Sequence, residues 1–258
     1  GPLGDRRTEI GAAPAEISVS TEAFVEREPI TVILSDKGWL RALRGHIADA
    51  SDQKFKEGDR LRLTVPCQTT DRLCLFATNG RAYTLKAGDL PRGRGDGVAI
   101  RLLADLTNED DVAALFVWQE GRRYLLAGTG GRGFVARAED MQAEKRTGKQ
   151  VLNVKPGEEA AFCVPAEGDH VAAVGGNRKL LVFPLEQVPE MARGGGVILQ
   201  KYKDGVLGDL KVFALADGLS WKLGEKTRTE TDLRLWLGER AQVGRNVPSG
   251  FPKSGRFG

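Results

Sequence analysis

The chain has 258 residues, of which 41% are hydrophobic and 28% charged, enough apolar material for one large core or two smaller ones. No apolar run approaches the roughly 20 residues of a membrane-spanning helix, and no secretory signal is visible. The formal net charge is only +3, but residues 1–30 carry three arginines against six carboxylates, so the remainder is basic and the leader acidic. A basic body points to a polyanionic partner.

The three cysteines, Cys67, Cys74 and Cys163, form no CxxC pair, and there are two histidines, His46 and His170. That set implies a reducing compartment and no zinc site. Cys74 sits within an apolar run and reads as a small core residue.

Gly1-Pro2-Leu3-Gly4 reads as the remnant of a cleaved expression tag, and residues 5–27 as a linker. Folded structure is expected over 28–258, with a basic, glycine-rich C-terminal tail. Ile30 to Ser35 alternates in the manner of a half-buried strand, with Ile30, Val32 and Leu34 on one face and Thr31, Ile33 and Ser35 on the other. Asp36-Lys37-Gly38 makes the turn, with Gly38 supplying positive φ. Trp39, Arg41 and Arg44 lie on the returning strand. A polar connection follows, then a strand with Leu61, Leu63 and Val65. Leu73 to Thr78 and Arg81 to Lys86 flank Asn79-Gly80, a strong hairpin signal.

The same phrase then recurs. Thr129-Gly130-Gly131-Arg132 matches Thr78-Asn79-Gly80-Arg81, Val171 to Phe183 turns at Gly175-Gly176-Asn177, and Leu215-Ala216-Asp217-Gly218 is a weaker fifth copy. Turn residues 38, 80, 131, 177 and 218 are separated by 42, 51, 46 and 41 positions. A period of that size, with several strands in each unit, predicts an all-β radial array of about five hairpin-based blades. Basic glycine-rich segments recur in phase with the turns: Pro91 to Gly97, Glu144 to Lys149, Met191 to Gly196, and the C-terminal stretch from Gly244. Glycine permits close backbone approach, and Arg or Lys meets phosphate.

These stretches, ITVILSDKGWLRALRGH and RLCLFATNGRAYTLKAGDLPRGRGDG above all, resemble the C-terminal domains of the bacterial type IIA topoisomerase A subunits. The topoisomerase IV (ParC) branch is the closer one. The gyrase branch has an intact glutamine-arginine-arginine-glycine-glycine-lysine-glycine box; PRGRGDG, EKRTGK and ARGGG are degenerate forms of it, and Gln53-Lys54-Phe55-Lys56 follows the first hairpin. The resemblance implies a β-pinwheel, a propeller-like disc that binds and bends duplex DNA around its rim. It further implies a non-catalytic fragment of an ATP- and magnesium-dependent enzyme, with no cofactor of its own. None of Tyr83, Tyr124 and Tyr202 matches the family's breakage motif. The partners implied are duplex DNA, the topoisomerase IV B subunit in the full enzyme and, as an alternative reading, a condensin engaging the fragment as a protein-interaction platform. A monomeric, cytoplasmic, nucleoid-associated protein is expected.

The DNA track is expected to use Lys37, Arg41, Arg44, Arg81, Lys86, Arg92, Arg94, Lys145, Arg146, Lys149 and Arg193. Reversing the charges of Arg41 and Arg44 is expected to weaken binding with the fold intact. Three other motifs have plainer readings. Gly128 to Gly133 formally fits a GxGxxG dinucleotide fingerprint but lacks strand–helix alternation around it. Arg94-Gly95-Asp96 spells an adhesion tripeptide by chance. Trp39, Trp118, Trp221 and Trp236 read as packing residues.

Overall fold

The computed structural model describes residues 26–258; the expected tag remnant and most of the expected linker lie outside the described residues. Residues 26–72 and 86–99 cluster as one compact unit, and residues 73–85 and 100–258 as a second.

In the first unit, β1 (Pro29–Ser35) and β2 (Trp39–Arg44) form an antiparallel hairpin with Ile33 opposite Arg41. The turn closes by Gly38 N–H to the Ser35 carbonyl, 3.0 Å, with Gly38 at φ 90°. β3 (Leu61–Gln68) pairs with the free edge of β1, and the two-residue strand β6 (Val98–Ala99) pairs with β2, giving the order β3-β1-β2-β6. Every residue of β1 from Ile30 to Ser35 is buried. The alternation at these positions therefore marks two covered faces, not a half-buried strand. The polar members are satisfied locally: Thr31 Oγ1 donates to the Gly45 carbonyl (2.7 Å) and accepts from Ile47 N–H, and Ser35 Oγ accepts from Trp39 N–H. Ile33, Leu43 and Ala50 form a small core cluster with Ile47, Phe55 and Leu61 against it.

The second unit repeats this plan three times. β4 (Arg72–Ala77) and β5 (Arg81–Lys86) are flanked by β7 (Val112–Val117) and β10 (Lys149–Gln150). β8 (Arg123–Gly128) and β9 (Arg132–Arg137) are flanked by β11 (Ala160–Pro165) and β14 (Val197–Ile198). β12 (His170–Gly175) and β13 (Lys179–Pro184) are flanked by β15 (Leu207–Phe213) and β18 (Arg245–Asn246). In every sheet the two-residue strand on the second hairpin strand is delivered only after the chain has built the next hairpin. A fifth hairpin, β16 (Leu219–Leu223) with β17 (Lys226–Glu230), stays two-stranded. The remaining regular elements among the described residues are short 3-10 turns, such as Ala138–Met141 and Leu185–Gln187.

The exchanged strands explain one glycine in each basic loop. Gly97, Gly148, Gly196 and Gly244 all have positive φ, between 70° and 92°. A Cβ there would approach the carbonyl oxygen of Leu40, Ala82, Gly133 or Leu180, on the second hairpin strand, to 2.1–2.7 Å. These glycines are required by the fold, since the loop must run flush against the hairpin to deliver its strand.

Two sequence expectations shift. The fifth turn falls at Gly224 (φ 64°), between β16 and β17; Gly218 instead ends the 3-10 turn Leu215–Asp217. In the fourth hairpin, the position held by Gly38, Gly80 and Gly131 is Arg178, at φ 62°. Its N–H bonds the Gly175 carbonyl just as those glycines bond theirs. The strain of a left-handed arginine, about 1–2 kcal/mol, is offset where its guanidinium donates to the carbonyls of Pro252 (2.9 Å) and Phe251 (3.3 Å) and lies over the Phe251 ring.

That contact belongs to the largest departure from expectation. The glycine-rich C-terminal tail is not a solvated loop. Phe251 and Phe257 are buried, stack edge-on with each other, and Phe251 meets Trp221 of β16 in the same way. Lys222 N–H bonds the Phe257 carbonyl (2.7 Å), and Phe257 N–H bonds Asp209 Oδ2 (2.8 Å).

Candidate nucleic-acid interface

The loop Pro91–Gly97 is positioned by Arg41. The Pro91 carbonyl accepts from Ala42 N–H, which lays the loop along β2. The Arg41 side chain is buried beneath it, donating to the Gly93 carbonyl and to the Lys54 carbonyl, both 2.9 Å, with Phe55 5.6 Å from the guanidinium. Arg41 is thus not the surface cation that its place in the sequence led us to expect. It faces inward because β2 is covered on both sides, and it ties together the two loops that flank the hairpin.

Above this clamp, Gly93 and Gly95 have open space around them, and residues 91–96 are exposed. Arg92 is paired with Glu28 at 3.0 Å. Arg94 is exposed and has no hydrogen bond or ion pair among the described residues, and the same holds for the side chains of Arg44 and Lys86. Lys37 is exposed at the tip of the first hairpin, where its N–H bonds Asp59. Lys56 lies 3.7 Å over the Trp39 ring and 4.0 Å from Asp96, so this tryptophan has a capped face.

In the second unit the loop before β10 follows the same design. Arg81 donates to the carbonyls of Thr147 (2.8 Å) and Gly148 (3.3 Å) and to Gln150 Oε1 (3.3 Å). It fixes the loop, as Arg41 does in the first sheet. Arg146 pairs with Asp105 at 3.0 Å. Lys145, Lys149 and Arg193 are exposed, with side chains free of hydrogen bonds and ion pairs among the described residues.

The eleven positions therefore divide by role. Arg41 and Arg81 are loop clamps, Arg92 and Arg146 sit in exposed ion pairs worth at most about 1 kcal/mol each, and the other seven are exposed. Sequence reasoning passed over Arg132, Lys155 and Lys201, which surround one cavity of the second unit. The repeated Thr-x-Gly-Arg phrase had pointed at Arg132.

Among the described residues, burial holds several titratable groups in their neutral forms. Tyr83 and Tyr124 are buried, and burial raises the Tyr124 hydroxyl above its ordinary value. Burial pushes Cys74 up to about 12 and, with Asp71 nearby, Cys67 to about 11, which keeps both as thiols. Among the described residues there is no cluster of three His, Cys, Asp or Glu side chains suited to a metal ion, and no helix is long and apolar enough to cross a membrane.

A family model described as the DNA gyrase C-terminal domain, β-propeller, matches residues 71–119 and 169–210. The chain is 41% identical over 256 residues to the A subunit of DNA topoisomerase 4 from Rickettsia bellii, covering 99% of this chain and 35% of that protein. It is 44% identical over 253 residues to the A subunit of DNA topoisomerase 4 from Caulobacter vibrioides, covering 97% of this chain and 33% of that protein. The chain thus spans about a third of the length of these curated relatives. Among solved structures, the E. coli ParC C-terminal domain is similar in fold, with a TM-score of 0.75 at 24% identity, covering 86% of this chain and 95% of that one. The strand exchange of the four sheets is accordingly that of a β-pinwheel.

Proposed function

For a chain that belongs to the family of C-terminal domains of the gyrase and topoisomerase IV A subunits, we infer a non-catalytic module that binds and bends duplex DNA. In the longer protein it presents that duplex to a breakage–reunion core, which works with the B subunit and its ATP and magnesium chemistry. The observation that carries this reading is the division of labour in the basic loops. Buried Arg41 and partly buried Arg81 spend their donors on carbonyls and so hold the loops still. Exposed Arg94, Lys145 and Arg193 on the same kind of loop are left without acidic partners among the described residues.

A fixed loop bearing unpaired cations suits a phosphate backbone. It loses little conformational entropy on binding, and it reads charge without reading bases. Each neutralised phosphate releases counterions, so affinity accumulates over many weak contacts and falls steeply with salt. Bending a 20–30 base-pair duplex costs on the order of 1–6 kcal/mol, which several such contacts together can supply.

The test is end-to-end energy transfer on a doubly labelled 30 base-pair duplex of arbitrary sequence, with a supercoiled plasmid incubated in parallel. The expected result is a rise in transfer as the chain is added, saturating and reversed by salt, with the plasmid neither nicked nor relaxed. Binding with no change in transfer would remove bending from the reading; relaxation of the plasmid by the chain alone would remove its non-catalytic character.

A further inference from the structure

Arg81 and Arg132 occupy the same place in consecutive repeats, each the first residue of the returning hairpin strand after Thr-x-Gly. Arg81 has its donors taken by the Thr147 and Gly148 carbonyls and Gln150. Arg132 has none of these. Its half-buried side chain makes no hydrogen bond or ion pair among the described residues, and it borders a cavity of about 450 Å³ within the second unit. Lys155 and Lys201 border the same cavity, both exposed and both likewise unpaired among the described residues. Glu158 also lines it, beyond ion-pair distance of all three cations; its carboxylate packs against Gly130, where a Cβ would come within 2.2 Å of it.

The wall of this cavity holds a second, independent signal. Gln200 is 1% exposed. Its amide nitrogen donates to the carbonyls of Lys179 (2.9 Å) and Val243 (3.0 Å), but its Oε1 is buried with no partner among the described residues. The Tyr202 ring is wedged between the turn glycines Gly131 and Gly175, and its hydroxyl is likewise buried with no partner. A buried polar atom left unpaired costs about 1–3 kcal/mol, and both of these sit on residues that line the cavity. Three unpaired cations around one cavity ask for an anion.

We propose that this cavity binds a phosphate group, held by Arg132, Lys155 and Lys201. The guanidinium supplies a planar pair of donors and the two ammonium groups compact positive charge. The Tyr202 hydroxyl and Gln200 Oε1, closed to solvent in this structure, lie in the wall behind the phosphate. The phosphate comes either from the backbone of bound duplex, which extends the DNA-binding reading above and rests on it, or from a free phosphate ester, which does not. The Gly128–Gly133 turn therefore meets phosphate without the strand–helix unit that a dinucleotide site requires.

The test uses the 258-residue chain, its Lys155→Gln/Lys201→Gln double variant and the matching Lys→Arg pair, with a thermal melt to show that each is folded. Binding of a labelled 20 base-pair duplex is measured by anisotropy over a salt series, and binding of inorganic pyrophosphate by calorimetry. A fall of about two units in the salt slope for the Gln pair, with slope retained in the Arg pair, supports the site and makes duplex its source. A loss of at least tenfold in pyrophosphate affinity with the duplex slope unchanged supports the site and makes a free ester its source. If the parent chain binds no duplex but its pyrophosphate binding depends on the two lysines, the DNA-binding reading falls and the site stands. Neither property changing in a folded Gln pair would overturn the proposal.

Discussion

Two segments of this chain look alike as sequence, glycine-rich, basic and punctuated by proline, and fold in opposite ways. Pro91–Gly97 lies open along β2, with Arg94 exposed and empty space around Gly93 and Gly95. Residues 247–258 turn back and bury Phe251 and Phe257 against Trp221. The difference lies in two aromatic side chains. Each full burial of such a ring contributes about 1.5–3 kcal/mol, enough to order a short segment that glycine would otherwise leave free. The first loop has no apolar side chain beyond Pro91, so it is ordered from beneath, by the buried guanidinium of Arg41. Charge and glycine content alone do not separate a ligand-facing loop from a structural strap.

The contrast can be broken from either side. The largest expected effect is on the strap: Phe257→Ala, or Phe251→Ala, should destabilise the fifth hairpin region by roughly 3–5 kcal/mol, read as an early transition in denaturant melts. Duplex binding by the first loop should survive where that transition is separate. A cost below about 1 kcal/mol would show that the tail merely rests on Trp221. Next is Arg41→Ala, which removes a buried guanidinium and its hydrogen bonds to the Gly93 and Lys54 carbonyls, at about 1–3 kcal/mol in all. Because of that burial, charge reversal at Arg41 is expected to damage the fold, contrary to what the sequence led us to expect; Arg44, exposed, should tolerate reversal with only binding lost.

A finer test stays inside one loop. Gly97→Ala places a Cβ 2.1 Å from the Leu40 carbonyl oxygen at φ 92° and should cost about 1–3 kcal/mol, whereas Gly95→Ala meets nothing within 4 Å and should leave stability unchanged or raise it by up to about 1 kcal/mol. Equal melting temperatures for the two would remove the distinction between fold-required and permissive glycines. The smallest effect on stability should come from Arg94→Gln and Lys86→Gln, each within about 0.5 kcal/mol of the parent. Each should nevertheless lower the salt slope of duplex binding by about one unit.

What could be read in the sequence was local. The hairpins at Gly38, Gly80 and Gly131 were legible because a positive-φ residue between two apolar runs leaves few alternatives. The fourth was found through Gly175-Gly176-Asn177, although the left-handed residue is Arg178, a choice made tolerable by its contacts with Phe251 and Pro252 more than 70 positions away. The fifth was misplaced at Gly218, because Leu215-Ala216-Asp217-Gly218 imitates a turn while forming a 3-10 stop. Strand exchange could not be read from the residue pattern, since the two-residue strands β6, β10, β14 and β18 carry no period; it came only with the resemblance to the β-pinwheel domains. The basic positions were legible as a set but not in their roles. Whether an arginine clamps a loop, as Arg41 and Arg81 do, or faces outward, as Arg94 does, depends on which carbonyls the fold brings to it.

The most direct measurement of the central claim is the affinity of this chain for a random-sequence 30 base-pair duplex, followed as salt is raised from low to well above physiological concentration. With about four to seven of the exposed cations meeting phosphates, the plot of log affinity against log salt should have a slope of roughly −4 to −6, unchanged when the duplex sequence is scrambled. A slope near zero, or affinity that survives salt but not scrambling, would contradict an interface made of fixed loops and phosphate-facing cations.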